Sequence, residues 1–398
     1  MDVDQLCALR SPSGEAALAT AAALAGGDPL TAASALRSGG VAPALAAAAL
    51  TQAVLRQRAV AKFGDDAAAM FFTRAGLEQS TRAVVARRRA ARLAASGATT
   101  VADLGCGIGA DALAFARAGL RVHAVDADPV TAAVAAANAA ALGLADRITV
   151  STMDAREAPL AGVDAVFCDP ARRTGAGRRV FDPAAYSPPW DFVVDLARRV
   201  PRTVLKLAPG IDHGLVPAGA EAEWVSVHGE VVEAALWCGP LATVPRRATL
   251  LRGANAAELT GTGQVAAPVG PVRRYLFDPD GAVVRAHLVA EFAATVDGTL
   301  ADPTIAYVYA DRPRATAFGR CLEILESMPF SLKRLRAAVR ERGAGRITIA
   351  KRGSAVDVDR LRRDLRPAGD GELTIVLTRV RGAPTALLCA PGPLNRAG

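Results

Sequence analysis

Histidine is scarce in this 398-residue chain, with four in all, and its six cysteines are scattered. Cys7, Cys106, Cys168, Cys238, Cys321 and Cys389 form no C-x-x-C pair and no cluster with histidine. That spacing supports neither a zinc site nor a disulfide framework, so no metal is expected. Unpaired thiols suit a reduced, cytoplasmic setting. Asp2 and Asp4 stand near the start where a signal peptide would carry basic residues, so these residues read as a poor signal peptide. Residues 38–55 carry no charge, but they are mostly Ala and include Pro43 and Gln52. They are expected as a helix packed in protein rather than as a membrane span. Aromatics make up only 5% of the chain. Its buried helix faces should therefore be narrow and closely packed.

The chain is 51% hydrophobic. That suffices for a large core, and the length suggests two or three domains. Residues 1–60 are rich in Ala and Leu and are broken at Gly26-Gly27-Asp28-Pro29 and Gly39-Gly40, so a small group of short helices is expected. Residues 61–244 alternate strands (near 100, 121, 148, 164, 204, 224 and 233) with helices, which predicts a parallel sheet covered on both faces. A helix capped near Ser80 precedes the first strand. Only His228-Gly229-Glu230 separates the last two runs, so these must pair antiparallel. Residues 245–398 read as a second α/β domain. Gly253–Pro271 looks like its linker, and Leu332–Arg342 like a helix.

The most informative line is Asp103-Leu-Gly105-Cys106-Gly107-Ile-Gly109, between an apolar run and a helix. A glycine turn there lets a ligand lie against bare backbone at a helix N-terminus. The second strand ends at Asp126, the place of a ribose-hydroxyl ligand in nucleotide sites. The dinucleotide pattern G-x-G-x-x-G is absent, because Ala110 stands where its last glycine would be. Asp103 would repel a pyrophosphate but suits a cation. S-adenosylmethionine, with an ammonium, a sulfonium and a ribose diol, satisfies both acids.

With Val125-Asp-Ala-Asp-Pro129, Met153-Asp-Ala155 and Asp169-Pro-Ala-Arg172, these residues resemble a class I S-adenosylmethionine-dependent methyltransferase over roughly residues 70–240. The resemblance implies a Rossmann-like doubly wound sheet with an antiparallel terminal hairpin. It implies that Gly105, Cys106, Gly107 and Gly109 line the cofactor and that Asp103 sits near its amino-acid end. Asp126 and Ala127 would meet the ribose, and Asp154 and Ala155 the adenine. Phe72-Thr73 and Gln79 are loosely similar to the segment that closes over the cofactor in trimethylguanosine synthase-like methyltransferases.

The acceptor is harder to read. Val163–Cys168 is a central strand ending in Asp169-Pro170. Enzymes methylating exocyclic amines often carry [D/N/S]-P-P-[aromatic] at this point. Here Ala171 and Arg172 replace the second proline and the aromatic, so Asp169, Pro170 and Arg172 are candidate catalytic residues without a complete pattern. Arg172 can stack on a base or pair with a phosphate. Ser187-Pro188-Pro189-Trp190 matches the pattern in letters, but no buried strand precedes it. Arg172, Arg173, Arg178 and Arg179 form a basic loop suited to a phosphate backbone, and Lys206 ends a later strand facing the same edge.

Charge is concentrated in the last domain. The chain is +8, yet residues 312–366 alone hold 15 Lys/Arg and 6 Asp/Glu. A basic stripe on one domain is the footprint of a polyanion. Arg346–Gly353 (including Lys351 and Arg352) and Glu372–Arg379 resemble a THUMP-like domain, a module that grips RNA in several RNA-modifying enzymes. The expected function is therefore methylation of a nucleobase in RNA, either rRNA or tRNA. The rival readings are a small-molecule methyltransferase and a non-catalytic protein binding S-adenosylmethionine or RNA.

Overall fold

The computed structural model describes residues 1–172, 186–253 and 255–391. Arg173, Arg178 and Arg179 of the basic loop lie outside the described residues. The chain divides into two compact units. The first comprises Met1–Leu207, Ile211–Ala220 and Ala235–Thr243; the second comprises Ala208–Gly210, Glu221–Ala234 and Val244–Gly398.

The first unit opens with four helices: α1 (Val3–Leu9), α2 (Pro12–Leu24), α3 (Pro29–Ser38) and α4 (Pro43–Phe63). The breaks fall at the two expected glycine pairs. Asp2, Ser11 and Asp28 cap the first three, and proline begins three of the four. No described helix is long and apolar enough to cross a membrane. Then follow α5 (Arg74–Gln79) and α6 (Ala83–Ala95). The expected cap near Ser80 is not used: Arg82 is the N-cap and its side chain makes no capping bond. Thr81 donates its hydroxyl to buried Asp111 instead (2.6 Å).

The sheet of this unit uses β1 (Thr100–Leu104), β2 (Arg121–Asp126), β3 (Ile148–Thr152), β4 (Ala165–Cys168) and, after a short pair β5 (Ala171–Arg172) and β6 (Tyr186–Ser187), β7 (Thr203–Leu207). Helices α7 (Ala110–Arg117), α8 (Pro129–Ala141) and α9 (Trp190–Arg199) alternate with them. The order is β7-β4-β1-β2-β3, and each neighbouring pair is parallel. Order reverses between β1 and β4, which is where an open α/β sheet leaves a crevice for a ligand. The core beneath it is largely alanine, as the composition predicted, with Phe115 edge-on to Phe167 at 5.5 Å.

In the second unit, β8 (Glu221–Val227) is followed after a two-residue turn by its neighbour β9 (Glu230–Trp237), whose last three residues are counted with the first unit. Strand β10 (Arg246–Arg252) is parallel to β8 and antiparallel to β11 (Asn255–Gly261). The expected linker is thus partly a strand. Its Gly, Ala and Thr residues sit at a sheet edge, where little side-chain packing is demanded.

The same unit holds a seven-stranded sheet, mostly antiparallel. Its strands are β12 (Tyr275–Pro279), β13 (Thr299–Leu300), β14 (Val308–Ala310), β15 (Gly319–Pro329), β16 (Ala344–Lys351), β17 (Gly371–Val380) and β18 (Ala383–Pro391), with α10 (Gly281–Arg285), α11 (Val289–Thr295), α12 (Leu332–Glu341) and α13 (Val358–Leu365) between them. The order is β13-β14-β12-β15-β18-β17-β16. Leu335, Val339, Leu361 and Leu365 pack α12 and α13 on one apolar cluster with Leu373, Ile375 and Leu388.

Candidate active site

Four of the expected acids lie at or just past the carboxyl ends of parallel strands. Asp103 is in β1, Asp126 ends β2, Asp154 follows β3, and Asp169 follows β4. Asp103 and Asp169 flank the point where strand order reverses.

The glycine turn is held by the end of the next strand. The Gly105 and Cys106 amides both donate to the Val125 carbonyl (2.9 Å each). The Gly107 amide donates to Asp126 Oδ2 and the Asp128 amide to Asp126 Oδ1 (3.0 Å each). The Met153 amide reaches the Asp126 carbonyl (3.1 Å) and brings Asp154 and Ala155 to the same edge. Gly105 has φ +83°, and a Cβ there would lie 3.1 Å from the Asp169 carbonyl oxygen. Only glycine allows β1 and β4 to approach so closely there.

Asp103 stands apart. It is fully buried, and neither carboxylate oxygen has a hydrogen-bond partner. Burial first, then the charges of Asp111 and Asp169, push its carboxyl well above the ordinary value. Asp111 is occupied by Arg89, which is itself buried and lies over the Phe167 ring at 4.6 Å. A buried anion left without a partner is costly. Asp126 is raised too, by burial, partly offset by its two amide donors. Asp154 differs: Arg156 binds it through backbone and side chain, which lowers it to about 2 and keeps it ionised.

Asp169 pairs with Lys206 of β7, whose ammonium donates to Oδ2 (2.5 Å). The spacing of 37 residues gave no sign of this pairing; only strand order brings β4 beside β7. Arg172 is placed by its backbone in β5, opposite Tyr186, and Ala171 lies opposite Ser187. The Ser187–Trp190 segment therefore returns beside Asp169-Pro170. Thr73 is used as the N-cap of α5, its hydroxyl accepting from the Gly76 amide (2.9 Å), while Gln79 ends the same helix, exposed. Cys106 and Cys168 are buried, and burial pushes both thiols up.

Lys351 and Arg352 belong to the second unit. Lys351 is exposed and donates to the Val356 carbonyl (2.8 Å). Arg352 is half-buried, bound to Asp278 and to the Pro279 carbonyl. Its charge is therefore largely answered within the fold. Exposed cations without an ion pair include Lys333, Arg334 and Arg340 of α12, Arg362 and Arg363 of α13, and Arg366 just after it. All six are exposed, and among the described residues none forms an ion pair. Arg336 ties the two helices together through the Asp364 carbonyl (2.8 Å from Nε). The apolar period of 332–341 and 358–365 was the signal that would have separated these outward residues from paired ones.

The chain is 37% identical over 354 residues to an uncharacterized S-adenosylmethionine-dependent methyltransferase of Mycobacterium tuberculosis, covering 85% of this chain and 95% of that protein. The chain belongs to the S-adenosylmethionine-dependent methyltransferases. Residues 101–174 of the methyltransferase match the Methyltransferase domain family, residues 319–391 the THUMP domain-like family, and residues 2–59 a domain of unknown function. A crystal structure of a candidate methyltransferase from Porphyromonas gingivalis W83 shares the fold at a TM-score of 0.71 and 23% identity, covering 88% of this chain and 92% of that one. A shorter match, 34% identical over 102 residues, is to a 23S rRNA (uracil(1939)-C(5))-methyltransferase of Acidithiobacillus ferrooxidans, covering 24% of this chain and 23% of that protein. S-adenosylmethionine is the cofactor of the methyltransferase. The partnerless Asp103 carboxylate and the bare turn at Gly105 fit its positive charge and close approach.

Proposed function

We propose that the methyltransferase modifies a nucleobase in structured RNA, such as rRNA or tRNA. The six exposed, unpaired cations of α12, α13 and Arg366 carry this reading. They lie on, or just after, two helices packed on one apolar cluster in the THUMP domain-like part of the chain, and would neutralise phosphates without reading sequence. The partial likeness to an rRNA methyltransferase points the same way.

Within the site, we assign Asp103 to the ammonium end of the cofactor, the Gly105–Gly109 turn to its close approach, Asp126 to the ribose hydroxyls and Asp154 with Ala155 to the adenine. Thr73 and Gln79 lie on the segment that covers it. The cofactor supplies an electrophilic methyl group on sulfur. Asp169 accepts a hydrogen bond or proton from the acceptor atom, and the ion pair with Lys206 holds that carboxylate in place. Positioning contributes most of the catalysis in such a transfer. Methylation at a ring carbon such as uracil C5 needs a nucleophile to activate the ring. Cys106 and Cys168, the two cysteines nearest the acceptor edge, are buried with thiols pushed up, so they are poorly suited to that role. The reading therefore favours an acceptor with its own lone pair, a ring or exocyclic nitrogen.

An RNA-binding titration at two salt concentrations tests the substrate class. Total RNA should bind, and the logarithm of affinity should fall with the logarithm of salt at a slope of about −4 to −5 if five of the six cations meet phosphates. Absence of RNA affinity at low salt would refute the reading in favour of a small-molecule acceptor.

A further inference from the structure

The N-terminal helices carry no expected chemistry, yet α4 presents three polar side chains to the irregular Met70–Thr73 segment and the helix α5 that follows it. Gln52, Arg56 and Phe63 recur at helical spacing and meet residues 69–72. Met70–Thr73 has no helix or strand of its own, and Met70, Phe71 and Phe72 are buried. Its buried backbone groups must find partners elsewhere.

Those partners come from two helices. The Gln52 carboxamide, itself buried, donates to the Phe72 carbonyl (2.7 Å) and accepts from the Phe72 amide (3.0 Å). Arg56 donates through Nε to the Met70 carbonyl (2.9 Å). Lys62 Nζ donates to the carbonyls of Leu77, Glu78 and Ser80 (2.7, 2.8 and 2.9 Å), thereby closing the C-terminal end of α5. From the other side, Asn138 of α8 accepts from the Phe71 amide (2.7 Å) and donates to the carbonyls of Phe71 (3.1 Å) and Ile108 (2.9 Å). Ile108 lies in the glycine turn, and a Cβ on Gly76 would come within 2.4 Å of its Cγ2. The segment that α4 holds is thus seated directly on the cofactor turn.

We infer that the N-terminal helical region serves cofactor binding: Gln52, Arg56 and Lys62 are positioning residues that hold residues 70–80 down on Ile108, and the affinity for S-adenosylmethionine depends on that hold. This gives a task to the region that matches a domain of unknown function. It does not depend on the nature of the acceptor.

The test is calorimetric titration of the full chain with S-adenosylhomocysteine, alongside thermal unfolding without ligand. Lys62→Met should weaken binding about 10-fold while the variant remains folded at the assay temperature, and Lys62→Arg should bind nearly as wild type. A folded Lys62→Met variant with wild-type affinity overturns the inference. Hydrogen exchange of the wild-type chain decides the matter if the variants do not fold. Ligand should slow exchange of amides 73–80 together with 105–109. Protection of the glycine turn with 73–80 unchanged overturns the inference equally.

Discussion

Replacing Asp103 by Asn should move cofactor affinity and its pH dependence together. The carboxyl is fully buried, without a hydrogen-bond partner, and raised well above its ordinary value of 3.8 chiefly by burial. In the ligand-free protein the folded state therefore binds a proton more tightly than the unfolded chain. Stability is full below the ordinary carboxylate value. It is lost as pH rises through the window up to the raised folded value, by about 1.4 kcal/mol per pH unit inside it. A cationic ligand reverses the balance, since the ammonium favours ionised Asp103. Binding then releases a proton. Affinity should rise about 10-fold per pH unit while the free carboxyl is protonated, and level off above that. Asp103→Asn removes both the proton release and the charge-assisted contact, worth about 1.5–3 kcal/mol, so the dissociation constant should rise about 10- to 150-fold. The assay is calorimetry with S-adenosylhomocysteine between pH 5 and about 7, below the range in which the ligand's own amino group titrates. Buffers of different ionisation enthalpy then count the protons. A wild-type affinity flat with pH and without proton release, or an Asn variant that binds equally well, refutes the argument.

Other outcomes follow from the same structure. Gly105→Ala should cost at least about 1 kcal/mol of stability, since φ is +83° and the new Cβ meets the Asp169 carbonyl, and cofactor binding should fall with it; thermal melts and titration check both. Lys206→Met should leave S-adenosylhomocysteine affinity within about twofold yet lower methyl transfer about 100-fold, because Asp169 loses its partner and its placement; a single-turnover assay separates the two. Arg89→Met strands buried Asp111 and should cost about 3–5 kcal/mol by urea unfolding. Arg334→Ala with Arg363→Ala should reduce the salt slope of RNA binding by about 2, and an unchanged slope would place the RNA elsewhere.

Much of the cofactor side was legible because it depends on local spacing. A glycine turn and an acid one strand later form a continuous stretch, and a hydrogen bond from the Gly107 amide to Asp126 joins the two. The acceptor side depends on strands distant in sequence. The Asp169–Lys206 pair and the return of Ser187–Trp190 beside Asp169-Pro170 follow from strand order and pairing, which no local pattern encodes. The same holds for charge. Composition located the basic stripe at 312–366, but not that Arg320 and Arg352 are spent on Asp278 while Arg334 and Arg363 face outward. Gln52 and Lys62 looked like ordinary residues of an Ala-rich helix. Their partners are backbone carbonyls, and those leave no trace in side-chain patterns.

Transfer of a labelled methyl group from S-adenosylmethionine to total cellular RNA, comparing the wild-type chain with Asp169→Ala, tests the central claim most directly. Label should enter RNA with the wild-type chain, and nuclease digestion should recover it on a base nitrogen. The Asp169→Ala variant should bind S-adenosylhomocysteine but transfer at least about 100-fold more slowly. Label that enters only a small-molecule fraction, or a variant that transfers as fast as wild type, contradicts the account.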